Sequence, residues 1–217
     1  MKTLKTVIWT LIVLVVLGAL GGFFFIESGA YDVAATSPPS GIERFLAGAV
    51  RHRSISVREG GVTVPNLQDP GLVRLGYSRY DDMCVICHSA PGLKETPVGR
   101  GLNPHPPHLW SKGTQSMSDQ RMYWVVDHGI RMTGMPGFGP SLDERDLWSL
   151  VAVIRQLPNL RPGEFQQKVD EAEKAEGESG ETSIGAAEAG GEAGKAETPP
   201  AGENMAGPAP QPTHPPR

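Results

Sequence analysis

Cys84 and Cys87 are the two cysteines of a 217-residue chain, three positions apart, with His88 directly after the second. That order, C-x-x-C-H, is the spacing by which c-type haem is attached. Each thiol adds across one vinyl group of the porphyrin to form a thioether. The neighbouring histidine is then delivered to the iron with its backbone held covalently. The residues therefore predict one covalent haem c, with Cys84 and Cys87 as attachment sites and His88 as an axial ligand of the iron. A structural zinc site needs four ligands, and no second cysteine pair exists to complete one. A thioredoxin-like redox pair calls for βαβ patterning, whereas these flanks read as helix and Pro-rich loop. A plain disulfide accounts for the two sulfurs but gives no reason for the adjoining His88.

A second stretch bears on the same iron: Thr133-Gly134-Met135-Pro136-Gly137-Phe138-Gly139. Haem iron that passes electrons takes His on one side and commonly Met on the other. Met135 has no helical face to serve, and Gly134 and Pro136 set it in a loop able to offer its thioether inward. It is the expected second axial ligand. His105, His108 and His128 are its rivals, and bis-His ligation would lower the potential. Met83, Met117, Met122 and Met132 read as ordinary packing residues.

The elements that must position these groups read as helices. Asp69 is an acceptable N-cap and Pro70 suits a first turn, so a helix is predicted to start there, with Leu72, Leu75 and Tyr80 on one face before Cys84. Gly76 in its middle costs about 1 kcal/mol against Ala, which predicts close approach of another helix. Residues 92–109 are rich in Pro and Gly and read as a long loop covering one face of the porphyrin. A second helix is predicted from Ser118 to His128, stopped by Gly129. A third is predicted over residues 142–157, with Ser141 and Glu144 as a capping box and Pro158 at its end. Trp148 borders its apolar face and is expected to meet the first helix around Gly76 and Tyr80, beside the haem.

Residues 7–26 carry no charge for twenty positions, enough for a helix of about 30 Å, the thickness of a bilayer core. Lys2 and Lys5 precede the run, which puts residues 1–6 in the cytoplasm and everything after it outside. A secretory signal peptide is the alternative, but its apolar region is usually about 7–15 residues. The nearest small-residue triplet, Val33-Ala34-Ala35, lies beyond the end of this run. Residues 27–69 read as a periplasmic linker, with an amphipathic helix over 41–53 that either lies on the membrane surface or packs on the haem domain. Residues 70–162 read as the haem domain. Residues 163–217 read as a disordered tail rich in Ala, Glu, Gly and Pro, with Glu164–Lys168 and Asp170–Lys174 as pairs that extend a short exposed helix. Residues 164–217 hold 11 acidic and 4 basic side chains, which leaves the first 163 residues at a net +3 and argues against a nucleic-acid binder.

In the order C-V-I-C-H-S-A-P-G, G-L-N-P-H-P-P-H-L, G-I-R-M-T-G-M-P-G-F-G and L-W-S-L-V-A-V-I-R-Q-L-P, the chain resembles class I cytochrome c. It is similar in particular to the membrane-anchored, single-haem domains related to the c-type subunits of haem–copper oxidases. The resemblance covers about residues 70–160 well, the anchor and residues 33–69 more loosely, and the tail not at all. It implies a mainly α fold, a small helical domain wrapped around one haem, that carries single electrons and is not itself an enzyme. It implies redox partners, a membrane oxidase or dehydrogenase complex, with no small-molecule substrate. It also implies that the carbonyl of Pro106 or Pro107 accepts the His88 Nδ1–H, which fixes the tautomer. A haem enzyme or gas sensor with a labile sixth ligand is the alternative, as is a subunit of a larger complex.

Overall fold

A computed structural model describes the backbone of residues 2–187 and the side chains of residues 2–177. Its helices run in the order α1 (Lys2–Glu27), α2 (Gly41–Ser56), α3 (Pro70–Met83), α4 (Val85–His88), α5 (Pro97–Gly101), α6 (Lys112–Gln115), α7 (Asp119–His128), α8 (Glu144–Gln156) and α9 (Glu164–Ala187). No strand occurs among the described residues. The chain divides into a compact unit, Met1–Gly177, and a second unit from Glu178 onward, described only through Ala187. The expected disorder of the tail beyond residue 187 lies outside the described residues.

The centre of the fold is the crossing of α3 and α8. Asp69 caps α3 by accepting from the Leu72 amide (2.8 Å), with Pro70 in the first turn. At Gly76 the two backbones nearly touch: an added Cβ would sit 2.2 Å from the Ser149 carbonyl oxygen and 3.1 Å from Val153 Cβ. Neither a carbonyl nor a branched Cβ can swing aside. Gly76→Ala should therefore destabilise the holoprotein by about 1–3 kcal/mol, even though Ala is the better helix former. Gly48→Ala in α2, where an added Cβ meets nothing within 4 Å, is the control and should cost nothing. Paired guanidinium denaturation midpoints measure both.

Leu150, Val151 and Val153 of α8 are wholly buried. α7 packs on α8 through stacked Tyr123 and Trp148 rings (4.4 Å between centroids). Ser118 caps α7, and Gly129 ends it at φ +67. Arg155 joins the end of α8 to the start of α7, donating to Asp119 Oδ1 (2.7 Å) and to the carbonyls of Gln115 (2.8 Å) and Met117 (2.6 Å).

Four sequence expectations are corrected. First, α8 begins two residues late: Asp143, not Ser141, caps it, accepting from the Asp146 amide (2.8 Å). Ser141 and Leu142 are instead turned back on the Phe138 carbonyl, at 2.9 Å each. Second, α9 is not a short helix: it runs to Ala187, through the first part of the segment that the composition reads as disordered. Third, the core does not stop at Pro162. Phe165, Val169 and Ala172 of α9 are buried, and Phe165 lies edge-on to Tyr80 at 5.6 Å. Lys168 pairs forward with Glu171 (3.0 Å), because Arg161 already occupies Glu164. Fourth, residues 55–69 are not a free linker. Ile55 is buried, and Val62, Val64 and Leu67 pack on the core.

Candidate functional site

α3 ends at Met83, and the chain makes one further helical turn. The Cys87 and His88 amides both return to the Cys84 carbonyl (3.1 and 2.8 Å). Residues at i, i+3 and i+4 share a helical face, so this turn sets both thiols and the imidazole on one side. Ser89 then leaves at φ +57, with its carbonyl held by the buried Tyr80 hydroxyl (2.8 Å). Tyr80 thus acts on the site from behind, fixing the exit of the motif from within the α3–α8–α9 core.

Cys84 is buried and Cys87 half-buried, and both are free thiols. Burial, with Cys87 nearby, pushes the Cys84 thiol up to about 12. A thiol kept neutral there could be exchanged for a neutral thioether with no charge being buried. The His88 ring is 9 % exposed, and its Nδ1 lies 2.8 Å from the Pro107 carbonyl oxygen. A carbonyl only accepts, so Nδ1 carries the hydrogen and Nε2 presents its lone pair. Burial holds His88 below the ordinary imidazole range, against the opposing pull of the Pro107 carbonyl, which keeps the ring neutral and able to bind a metal. Pro107, not Pro106, makes this contact.

The 92–109 segment is more ordered than its Pro and Gly content suggests. Thr96 accepts from the Gly99 amide (3.0 Å) to cap α5, with Pro97 in its first turn. The Thr96 hydroxyl also donates to the Ile86 carbonyl inside the motif. An added Cβ at Gly99 would sit 2.7 Å from the Cys87 carbonyl oxygen. One at Gly134 would sit 2.5 Å from Leu102 Cδ2, just past α5. α5 and Leu102 therefore touch both the cysteine turn and the Met135 loop and bring them into one neighbourhood. The Thr-Pro pair was the sequence signal for α5.

The Met135 loop is stitched to the end of α7. Phe138 and Gly139 amides donate to the Val126 and Asp127 carbonyls (3.0 Å each), and the Ile130 amide donates to the Met135 carbonyl (3.1 Å). Thr133 Oγ1 accepts from the Met135 amide (3.1 Å). A Cβ at Gly137 would collide with the His128 carbonyl at 2.7 Å, so this approach needs glycine. Met135 is half-buried, while Met132, also in the loop, is 93 % exposed.

The rival histidines are engaged elsewhere. His105 and His108 face the Glu95 carboxylate (3.7 and 3.3 Å), and His108 stacks on Trp110. His128 stacks on Trp124 and faces Asp127 (3.2 Å). Among the described residues no group of three or more His, Cys, Asp or Glu side chains is gathered to hold a bare ion. The Trp148 indole N–H is buried with no acceptor among the described residues. Such a donor costs about 1–3 kcal/mol when unmet, and a polar edge of a haem is the kind of group that would meet it. With two buried or half-buried thiols and a neutral imidazole on one turn, the donor set fits haem.

A small helical domain built around this turn is a c-type cytochrome domain, which transfers electrons through haem iron. Residues 71–154 match the family described as cytochrome c oxidase, cbb3-type, subunit III, and are related to those haem–copper oxidase subunits. The matched segment includes Tyr80, Cys84, Cys87, His88, Pro106, Pro107, Met135 and Trp148. No curated protein matches the chain.

Proposed function

We propose that this chain is a membrane-tethered carrier of single electrons, with one haem bound through Cys84 and Cys87 and its iron held between His88 Nε2 and Met135 Sδ. The observation that carries the reading is the His88 Nδ1 to Pro107 carbonyl bond of 2.8 Å, on the same turn as both thiols. Bound haem supplies an iron that changes oxidation state by one electron. The polypeptide fixes the ring and tautomer of His88, presents Met135 from a loop closed by its own hydrogen bonds, and keeps water from the interior face.

α1 is a 26-residue candidate membrane span, and an 18-residue window within it has a mean hydropathy of 2.5. We read it as a retained anchor in a bacterial inner membrane. Lys2 and Lys5 lie on the cytoplasmic side, and the haem domain lies in the periplasm. A tether raises the local concentration of the domain beside membrane-bound partners. The family description makes a membrane oxidase the first class of partner to test, with dehydrogenases as electron donors.

Haem attachment gives the direct test. Acid–acetone should leave the haem on the wild-type chain, and peroxidase staining should persist on a denaturing gel. The Cys84→Ala, Cys87→Ala double variant should lose both. A double variant that still stains places the haem on other residues and ends the proposal.

A further inference from the structure

We infer that α2 lies along the membrane surface, with its apolar face in the lipid and Arg53 and Arg58 at anionic headgroups, so that it sets the position of the haem domain against the bilayer. This rests on α1 being a retained anchor. Ile42, Phe45, Leu46 and Val50 are 73, 73, 55 and 68 % exposed. They fall at i, i+3, i+4 and i+8, one continuous stripe of the helix. Scattered apolar residues on a soluble surface need no explanation, but a stripe of this size does.

Its neighbours say what covers it. Tyr31 stands four residues beyond the end of α1, and its hydroxyl donates to Glu43 Oε1 (2.6 Å) in the first turn of α2. The same Glu43 closes a capping box with Ser40 (3.2 and 3.3 Å), which fixes where the helix starts. The stripe is thus bolted to a residue just outside the span, at the level where tyrosines favour the interface. The charges agree. Arg53 and Arg58 lie on or beside the stripe at its C-terminal end, whereas Arg44 and Arg51 lie on the opposite face of the helix. Ala49, Val50, Arg53, Ser54, Val57 and Arg58 line a shallow groove of about 580 Å³. Its apolar floor and two guanidinium groups suit a lipid phosphate above an acyl chain. Arg58 is steadied there by the Ser54 carbonyl (2.8 Å).

The other end of α2 belongs to the haem domain. Arg121 of α7 donates to Ser56 Oγ (3.1 Å) and Glu59 Oε2 (3.0 Å). A helix bound to lipid along its length and to α7 at its end does not leave the haem domain on a free leash.

The test uses the full-length holoprotein in nanodiscs of phosphatidylcholine, with or without phosphatidylglycerol. Phe45→Cys, Val50→Cys, Arg44→Cys and Arg51→Cys are spin-labelled one at a time, the native cysteines being taken up by haem. Labels at 45 and 50 should collide with oxygen and be shielded from a water-soluble nickel chelate, and labels at 44 and 51 should show the reverse. Phosphatidylglycerol should deepen the shielding, and Arg53→Gln with Arg58→Gln should remove that increment. Labels at 45 and 50 open to the chelate overturn the inference. Shielding from both reagents also overturns it, because a second copy or another subunit then covers the face. Intact mass separates the two readings: a chain that starts past residue 27 ends the anchor reading and this one with it. A full-length chain with exposed labels ends only this one.

Discussion

Met135→Ala should lower the reduction potential by on the order of a hundred millivolts, since each tenfold change in relative stability of the two oxidation states moves a one-electron couple by about 59 mV. The same variant should lose the weak long-wavelength charge-transfer band of the ferric protein and bind CO readily when reduced. A thioether is a soft, neutral ligand that favours ferrous iron. Its loss admits water or another donor that favours ferric. The loop itself should survive, because the Met135 amide and carbonyl are held by Thr133 Oγ1 and the Ile130 amide at 3.1 Å each, and neither bond involves the side chain. Met132→Ala is the control. Its side chain is 93 % exposed, and its backbone sits at φ +60, turned within the same loop. It should keep the band and the potential. If Met132→Ala loses the band and Met135→Ala keeps it, the wrong sulfur has been assigned. If neither matters and His105→Ala or His108→Ala changes the spectrum, ligation is bis-His and the high-potential shuttle fails. CO binding by the wild type would instead favour a haem enzyme or gas sensor.

Local geometry in this chain is more legible than long-range packing, for a physical reason. A haem-attachment motif is local: Cys84, Cys87 and His88 must share one turn, so their spacing carries the information. Caps are local as well, and Asp69, Ser118 and Gly129 do what their residue types predict. The close approach at Gly76 could be expected from the cost of a mid-helix glycine. Its partner could not, because the neighbours of α3 depend on how distant segments meet. The Ser149 carbonyl that closes on Gly76 is backbone, and backbone carries no side-chain signal to read. The sequence places α8 two residues early, because Ser141 and Glu144 mimic a capping box while the turn closing on Phe138 already claims Ser141. α9 was the hardest to see. Its Glu, Gln and Lys residues dominate the composition, and three apolar side chains seven residues apart at their extremes do not stand out.

Those three side chains support the remaining prediction: Phe165→Ala should destabilise the domain by about 3–5 kcal/mol, the usual range for emptying a buried phenylalanine site. Phe165 is wholly buried, with ring centroids 5.6 Å from Tyr80 and 6.0 Å from Tyr77, so the void would open on α3 directly behind the Cys84–His88 turn. Tyr80 is the residue that holds the Ser89 carbonyl as the chain leaves His88 (2.8 Å). Pro162 supports the same region, since an added Cβ at Gly92 would lie 2.8 Å from Pro162 Cα. Two shortened chains separate this view from a domain that ends before α9. One stops at Gly177 and should keep the wild-type denaturation midpoint, because every buried α9 side chain named here is retained. The other stops at Pro162, loses Phe165, Val169 and Ala172 together, and should fall at least as far as Phe165→Ala. Guanidinium unfolding followed by helical circular dichroism reads all three against the wild type. If the chain ending at Pro162 unfolds with the wild-type midpoint, α9 is a surface ornament and the boundary returns to residue 162.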